Sequence, residues 1–315
     1  RYSDRLGRTI GKDQLLCLPG TQSALFVALM SITDPGDEVI VGDPMYATYQ
    51  GIIAASGAVR VPVKLRPEMG FRLQASDVAA LITPRTRAIF LNSPHNPTGA
   101  MLTPEDIRAL GDLAKKHDLW IISDEVYEDL VFPGQSFTSP YLFEDLVDRV
   151  IVACSISKSH AAAGFRSGWC MGTPETIARM LPVAETMLFG NQPFIADMTA
   201  AALSAPSPVA AGMVARFARR SEAVFQMLDG VAGLAVHRPQ AGMFAVIDVR
   251  GTGLDSVSFA ERLLESQHVA VMPGLSFGDT FGGWIRFSLS RPDADINEAC
   301  ARMARFSQSL REAAE

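Results

Sequence analysis

Short, uniformly apolar runs separated by helical stretches constrain this chain more than any other feature. Val39-Ile40-Val41, Ala88-Ile89-Phe90-Leu91, residues 119–122 and Val150-Ile151-Val152-Ala153 have no polar alternation. Such runs suit strands buried on both faces, the condition of a parallel sheet with helices on each side. Residues 59–63 add a further strand. Helical periodicity marks residues 23–32, 47–55 and 75–82, and a helix opens at Thr103-Pro104-Glu105-Asp106 in a capping-box pattern and runs to His117. The expected class is α/β, a three-layer, largely parallel sheet. Open sheets of this kind bind ligands beyond the carboxyl ends of their strands. Asn92, Asp124 and Ser155 all fall just past predicted strand ends.

The strongest boundary signal is Ala205-Pro206-Ser207-Pro208. It divides the 315 residues into a large domain, 1–205, and a smaller C-terminal domain, 206–315. The second part predicts a long helix over 209–228, a strand over 242–249 and a helix over 256–266. Strands over 269–272 and 284–289 and a closing helix from Asp295 complete an α+β unit.

Composition excludes several classes of function. With 48% hydrophobic and 20% charged residues the chain is ordinary globular material. A net charge of −6 with dispersed arginines argues against a nucleic-acid surface; Arg219-Arg220, the one adjacent arginine pair, reads as a solvated helix face. No apolar stretch approaches the roughly 20 residues needed to span a bilayer. Cys17, Cys154, Cys170 and Cys300 form no paired motif, so neither a metal site nor a redox pair is expected. Free buried thiols in a reducing cytoplasm are the expectation. The chain opens on Arg1 in what reads like mid-domain sequence, and an upstream segment is expected.

Lysine is scarce, with five in the chain, and one has an unusual setting. Lys158 lies in Cys154-Ser155-Ile156-Ser157-Lys158-Ser159-His160, directly after an apolar strand, with Arg166 following in Gly164-Phe165-Arg166-Ser167-Gly168-Trp169. Upstream stand Asn92-Ser93-Pro94-His95-Asn96-Pro97-Thr98-Gly99 and Ser123-Asp124-Glu125-Val126-Tyr127. An amine at a strand end, neighbouring hydroxyls, an arginine and a carboxylate on an earlier strand form a kit for a phosphorylated aldehyde. Pyridoxal 5'-phosphate (PLP) is such a group: the protein supplies a Schiff-base lysine and an acidic partner for the ring nitrogen.

With these motifs the chain resembles the class I/II aminotransferases of fold type I, the aspartate-aminotransferase superfamily, over essentially its whole length. Asn-Ser-Pro-His-Asn-Pro-Thr-Gly and Ser-Lys-Ser-His-Ala are most similar to the bacterial arginine–pyruvate and aspartate-like transaminases. The resemblance implies that Lys158 carries the internal aldimine and moves the substrate proton. It implies that Asp124 pairs with the pyridine nitrogen and that Tyr127 and Asn96 bind the ring's phenolic oxygen. The phosphate cup would be Gly20, Thr21 and Gln22 at a helix start, with Ser155 and Arg166. Tyr46 falls where the family stacks an aromatic ring, while Tyr49 reads as core. Arg286, in Trp284-Ile285-Arg286-Phe287-Ser288, resembles the arginine that grips the substrate carboxylate beside Asn96. Glu125 reads as structural, and His95 and His160 as packing around the site.

The implied activity moves an amino group between an L-amino acid and a 2-keto acid, in a cytoplasmic homodimer with shared active sites. The family's N-terminal segment, with its substrate-covering arm and a tyrosine reaching the neighbouring subunit's phosphate, has no counterpart in this sequence. Two other readings stay open on the motifs: a PLP-dependent C–S β-lyase using the same residues, and the ligand-sensing domain of an aminotransferase-like transcription regulator.

Overall fold

The alternation of apolar strands and helices folds as a sheet with two separate cores. A computed structural model describes residues 1–313. Seven strands form the first sheet: β1 (Leu15–Leu18), β2 (Glu38–Asp43), β3 (Val59–Lys64), β4 (Thr86–Asn92), β5 (Trp120–Asp124), β6 (Val150–Ser155) and β7 (Gly168–Met171). Their order is β1-β7-β6-β5-β4-β2-β3. The five strands from β6 to β3 are mutually parallel, and β7 runs antiparallel to both β6 and β1.

Side chains alternate across this sheet, as the pleat requires. Ile40, Ile89, Leu91, Ile121, Val150 and Val152 face one core, which the helix Pro104–Lys116 closes with Ile107, Leu110 and Ala114. Val39, Val41, Phe90, Ile122, Ile151 and Ala153 face the other, closed by Leu25, Ala28 and Leu29 of the helix Thr21–Ile32. Both faces being apolar explains why the strands show no polar alternation.

Four antiparallel strands form a second sheet: β8 (Ala235–His237), β9 (Phe244–Asp248), β10 (Met272–Pro273) and β11 (Trp284–Ser288), in the order β10-β11-β9-β8. Ala245, Ile247, Ile285 and Phe287 pack with Phe217, Val224 and Leu228 of the helix Pro208–Leu228. Phe259 and Leu263 of the helix Ser256–Gln267, and Cys300 and Met303 of the helix Asp293–Glu312, complete this core.

Several expectations change. Of residues 269–272 only Met272 is in a strand, because the left-handed His268 (φ 55°) ends the preceding helix and pairing starts at Met272–Arg286. The helix expected over 75–82 stops at Ala79, ahead of Thr83-Pro84. Strands β1 and β7 and the helix Pro174–Leu188 were not anticipated; antiparallel partners appended to a parallel sheet lack the spacing signal of a repeating strand–helix unit. Arg219-Arg220 is not a uniformly solvated face: Arg220 is buried, bonding Asp293 and the Leu289 carbonyl. All four cysteines are free, but Cys17 is exposed rather than buried. Among the described residues no single helix is long and apolar enough to cross a membrane, and no cluster could hold a metal ion.

Candidate active site

Parallel pairing places three strand ends side by side: Asn92 opposite Asp124, and Asp124 opposite Ala153. Beyond them, and against β9 and β11, lies a cavity of about 350 Å³. Thr21, Gln22, Tyr46, Asn96, Asp124 and Tyr127 line it, as do Ser155, Lys158, Arg166 and Arg286. Gly20, the remaining predicted residue, is the residue just before the helix Thr21–Ile32.

Lys158 sits on the single helical turn Ile156–Ser159 that follows β6, with the Ser157 amide bonded to Ser155 Oγ at 3.3 Å. Burial lowers its amine pKa; Asp124 opposes this, and the charges of Arg286 and Arg166 add to it. Its Nζ lies 6.0 Å from the Tyr127 ring centroid. A neutral amine is the form that can attack a carbonyl or take up a proton.

Asp124 is buried, and burial raises its carboxyl pKa to about 6. Two donors oppose that rise: the Tyr49 hydroxyl at 2.6 Å and the Val126 amide at 3.1 Å. Tyr49 is therefore more than core. It lies one turn beyond Tyr46, and nothing in the sequence signals a bond to a strand 75 residues away. Replacing it tests the pair. In Tyr49→Phe a donor to the charged form is lost, so the Asp124 pKa rises further. Where Asp124 must be ionised, the acidic limb of the kcat/KM profile should move to higher pH, with activity least affected at alkaline pH. An unmoved limb would show that Tyr49 only fills space.

Asn96 connects the two sheets. Its amide Nδ2 donates to Tyr127 Oη at 3.5 Å, and its Oδ1 accepts from Arg286 Nη1 at 3.1 Å. Asn92 Oδ1 accepts from the Asn96 amide at 2.9 Å, fixing the turn. Half-buried His95 ties that turn to the Tyr46 segment, with Nδ1 2.7 Å from Thr98 Oγ1 and Nε2 3.1 Å from the Pro44 carbonyl. Burial holds its pKa down to about 4, so it is a neutral brace. His160 bridges Ser159 and the Ala202 carbonyl. Glu125 points away from Asp124 into bonds from Ser123 and Ser139 at 3.0 and 2.6 Å, and burial raises its pKa to about 8.

Arg286 on β11 lies between two aromatic faces, 4.2 Å from the Phe244 centroid and 4.7 Å from that of Phe277. Phe244, Phe277 and Met243 are site residues that sequence reasoning missed. The rings steer the guanidinium while leaving most of its donors free for an anion.

The phosphate cup fits the group proposed for it. The helix Thr21–Ile32 has no side-chain cap at its N-terminus, and Thr21 Oγ1 is buried without a partner. Gly20 has φ 85°, and a Cβ there would collide with Arg166 Nη2. Arg166 is itself left-handed (φ 51°) and anchored on the Ala163 and Pro19 carbonyls at 2.8 and 3.2 Å. At Gly168 a Cβ would stand 2.6 Å from the Gly20 carbonyl carbon and 2.7 Å from the Cys154 carbonyl oxygen, so the loops close only around glycine. Uncapped amides, an unpaired hydroxyl and a fixed arginine are a donor set for a phosphate dianion.

A lysine of lowered pKa, a buried carboxylate and an anion cup at the carboxyl edge of a parallel sheet define the fold type I class of group-transfer enzymes. Residues 3–303 match the family described as Aminotransferase class I and II. Arginine–pyruvate transaminase AruH of Pseudomonas aeruginosa is 44% identical over 304 residues, covering 96% of this chain and 77% of that protein. An aspartate aminotransferase of Streptomyces avermitilis is 31% identical over 310 residues, 95% of this chain and 76% of the relative. The aromatic aminotransferase structure from Pyrococcus horikoshii OT3 superposes with a TM-score of 0.93 at 29% identity, over 98% of this chain and 84% of the other. This chain belongs to the class I and II aminotransferases. Its activity is that of a transaminase, and the β-lyase and regulator readings are not favoured.

Proposed function

We propose that the chain binds PLP in this cavity and transfers an amino group between an L-amino acid and a 2-keto acid. One observation carries the reading: a half-buried lysine of lowered pKa, a buried aspartate and a ring-flanked arginine share a single cavity with an anion cup. Thr21, Gln22, Ser155, Arg166 and the amide start at Gly20 would hold the phosphate. Asp124 would hold the ring nitrogen, Asn96 and Tyr127 the phenolic oxygen, and Tyr46 a ring face. When bound, the cofactor supplies an electron sink for the substrate Cα.

The remaining chemistry falls to this chain's residues. Lys158 Nζ, whose pKa burial lowers, would hold the cofactor and would take up the proton from the substrate Cα. Arg286 receives the α-carboxylate on its free donors, with Asn96 Oδ1 fixing its approach. Tyr49 favours the ionised form of Asp124, and Phe244 packs edge-on against Tyr127 at the cavity wall. Titrating the protein with PLP and following its absorbance across a panel of amino donors tests the reading. Uptake followed by donor-dependent bleaching, reversed by a 2-keto acid, is expected; uptake without bleaching by any amino acid overturns it.

We also place the protein in the cytoplasm, since four free cysteines suit a reducing compartment. The chain divides at residues 205–206, within the loop 204–207 that separates the helices Pro193–Leu203 and Pro208–Leu228. A homodimer with shared sites fits the exposed Phe165, one residue before Arg166, and the exposed Phe189 and Phe194; the three are 54%, 94% and 67% accessible. Sedimentation of the PLP-loaded protein at assay concentration should give twice the chain mass; a fully active monomer overturns shared sites.

A further inference from the structure

We propose that Asp43 and Thr280 form a latch that positions Arg286 for the substrate carboxylate; this rests on the reading of Arg286 above. Asp43 ends β2 on the first sheet and is 2% exposed. Thr280 belongs to the loop between β10 and β11 of the second sheet. Its hydroxyl lies 2.8 Å from Asp43 Oδ1 and 3.0 Å from the Asp43 carbonyl, a donor shared between two acceptors. The loop meets the first sheet again at the Met45 amide, which donates to the Phe277 carbonyl at 2.8 Å. Between these ties stands Gly278 (φ 152°), where any Cβ would overlap Asp43 Oδ1. Arg60 Nη1, buried without a hydrogen bond, lies 3.9 Å from Asp43 Oδ2 and offsets the carboxylate's charge.

The latch acts at both ends of the loop. At one end buried Phe277 lies against the Arg286 guanidinium. At the other, Phe281 stacks on Trp284 with centroids 5.5 Å apart and planes 2° from parallel. Trp284 is two residues before Arg286 on β11, hence on the same face of that strand. On the first sheet the chain leaves Asp43 through Pro44 and Met45 to Tyr46, which lines the cavity. Asp43 and Thr280 thus couple the segment bearing Tyr46 to the strand bearing Arg286, without either touching the cavity. A displacement on the order of 1 Å in such a positioning element costs up to about 10²-fold in rate.

Thr280→Val removes the hydroxyl at nearly constant volume, and Thr280→Ser keeps it. In the PLP-loaded full chain, Thr280→Val should raise KM for amino-acid donors about tenfold with kcat changed less than about threefold. Cofactor affinity and turnover of an amine lacking the α-carboxylate should match wild type, and Thr280→Ser should restore KM. An unchanged KM in Thr280→Val overturns the proposal. So does an equal loss on the carboxylate-free amine, or a fall in cofactor affinity as large as the rise in KM, since either marks a general structural defect. Cofactor uptake and turnover by wild type report on the functional reading, while the variant-to-wild-type ratio of KM reports on the latch.

Discussion

Lys158→Ala is expected to abolish transamination while leaving the anion cup able to take up PLP. The two functions separate because the cup is built from Thr21, Ser155 and Arg166, none of which depends on the lysine for a hydrogen bond. On the proposed reading an amine at this position would serve twice, in holding the cofactor and in taking up the Cα proton. Removing general-base work alone costs about 10²–10⁴-fold, so turnover should fall by at least about 10⁴-fold when the covalent role goes with it. Burial, with the charges of Arg286 and Arg166, lowers the amine's pKa and so favours its neutral form. Borohydride treatment of the loaded wild type should fix the cofactor to a peptide containing Lys158, seen by mass spectrometry. Fixation elsewhere, or turnover in Lys158→Ala within tenfold of wild type, rules the assignment out.

Arg286→Lys is the second large effect. Lysine keeps the positive charge but offers a point donor in place of a planar fork. It also loses the stacking of a flat guanidinium between Phe244 and Phe277, and the bond to Asn96 Oδ1. Hydrogen bonds to charged groups contribute about 1.5–3 kcal/mol, so KM for the amino acid should rise roughly 10–100-fold. Cofactor affinity should change little, because the cup lies on the other sheet. The measurement is KM for an amino acid beside the apparent affinity for PLP, in both proteins. If wild type processes amines lacking a carboxylate as well as amino acids, Arg286 does not bind the carboxylate.

Much of this molecule was legible from residues alone, for a physical reason that can be traced. Strands β2, β4, β5 and β6 were visible because burial on both faces demands unbroken apolar runs. The helix Pro104–Lys116 was visible because Thr103 and Asp106 cap it through reciprocal local bonds. Asn92, Asp124 and Ser155 could be grouped because parallel strands bring their carboxyl ends to one edge. Such signals are local in sequence or follow from strand direction.

Tertiary structure alone decided the contacts that join distant segments. That Tyr49 bonds Asp124, that Phe244 and Phe277 flank Arg286, and that Thr280 closes on Asp43 are matters of how the two sheets meet. A tyrosine in a helix reads the same whether its hydroxyl meets water or a carboxylate across the core. Residues 269–271 carry strand-like apolar character but are unpaired, since a strand exists only where a neighbour supplies its hydrogen bonds. Local propensity and burial are written into short stretches of chain, whereas a partner 75 or 237 residues away is chosen by packing.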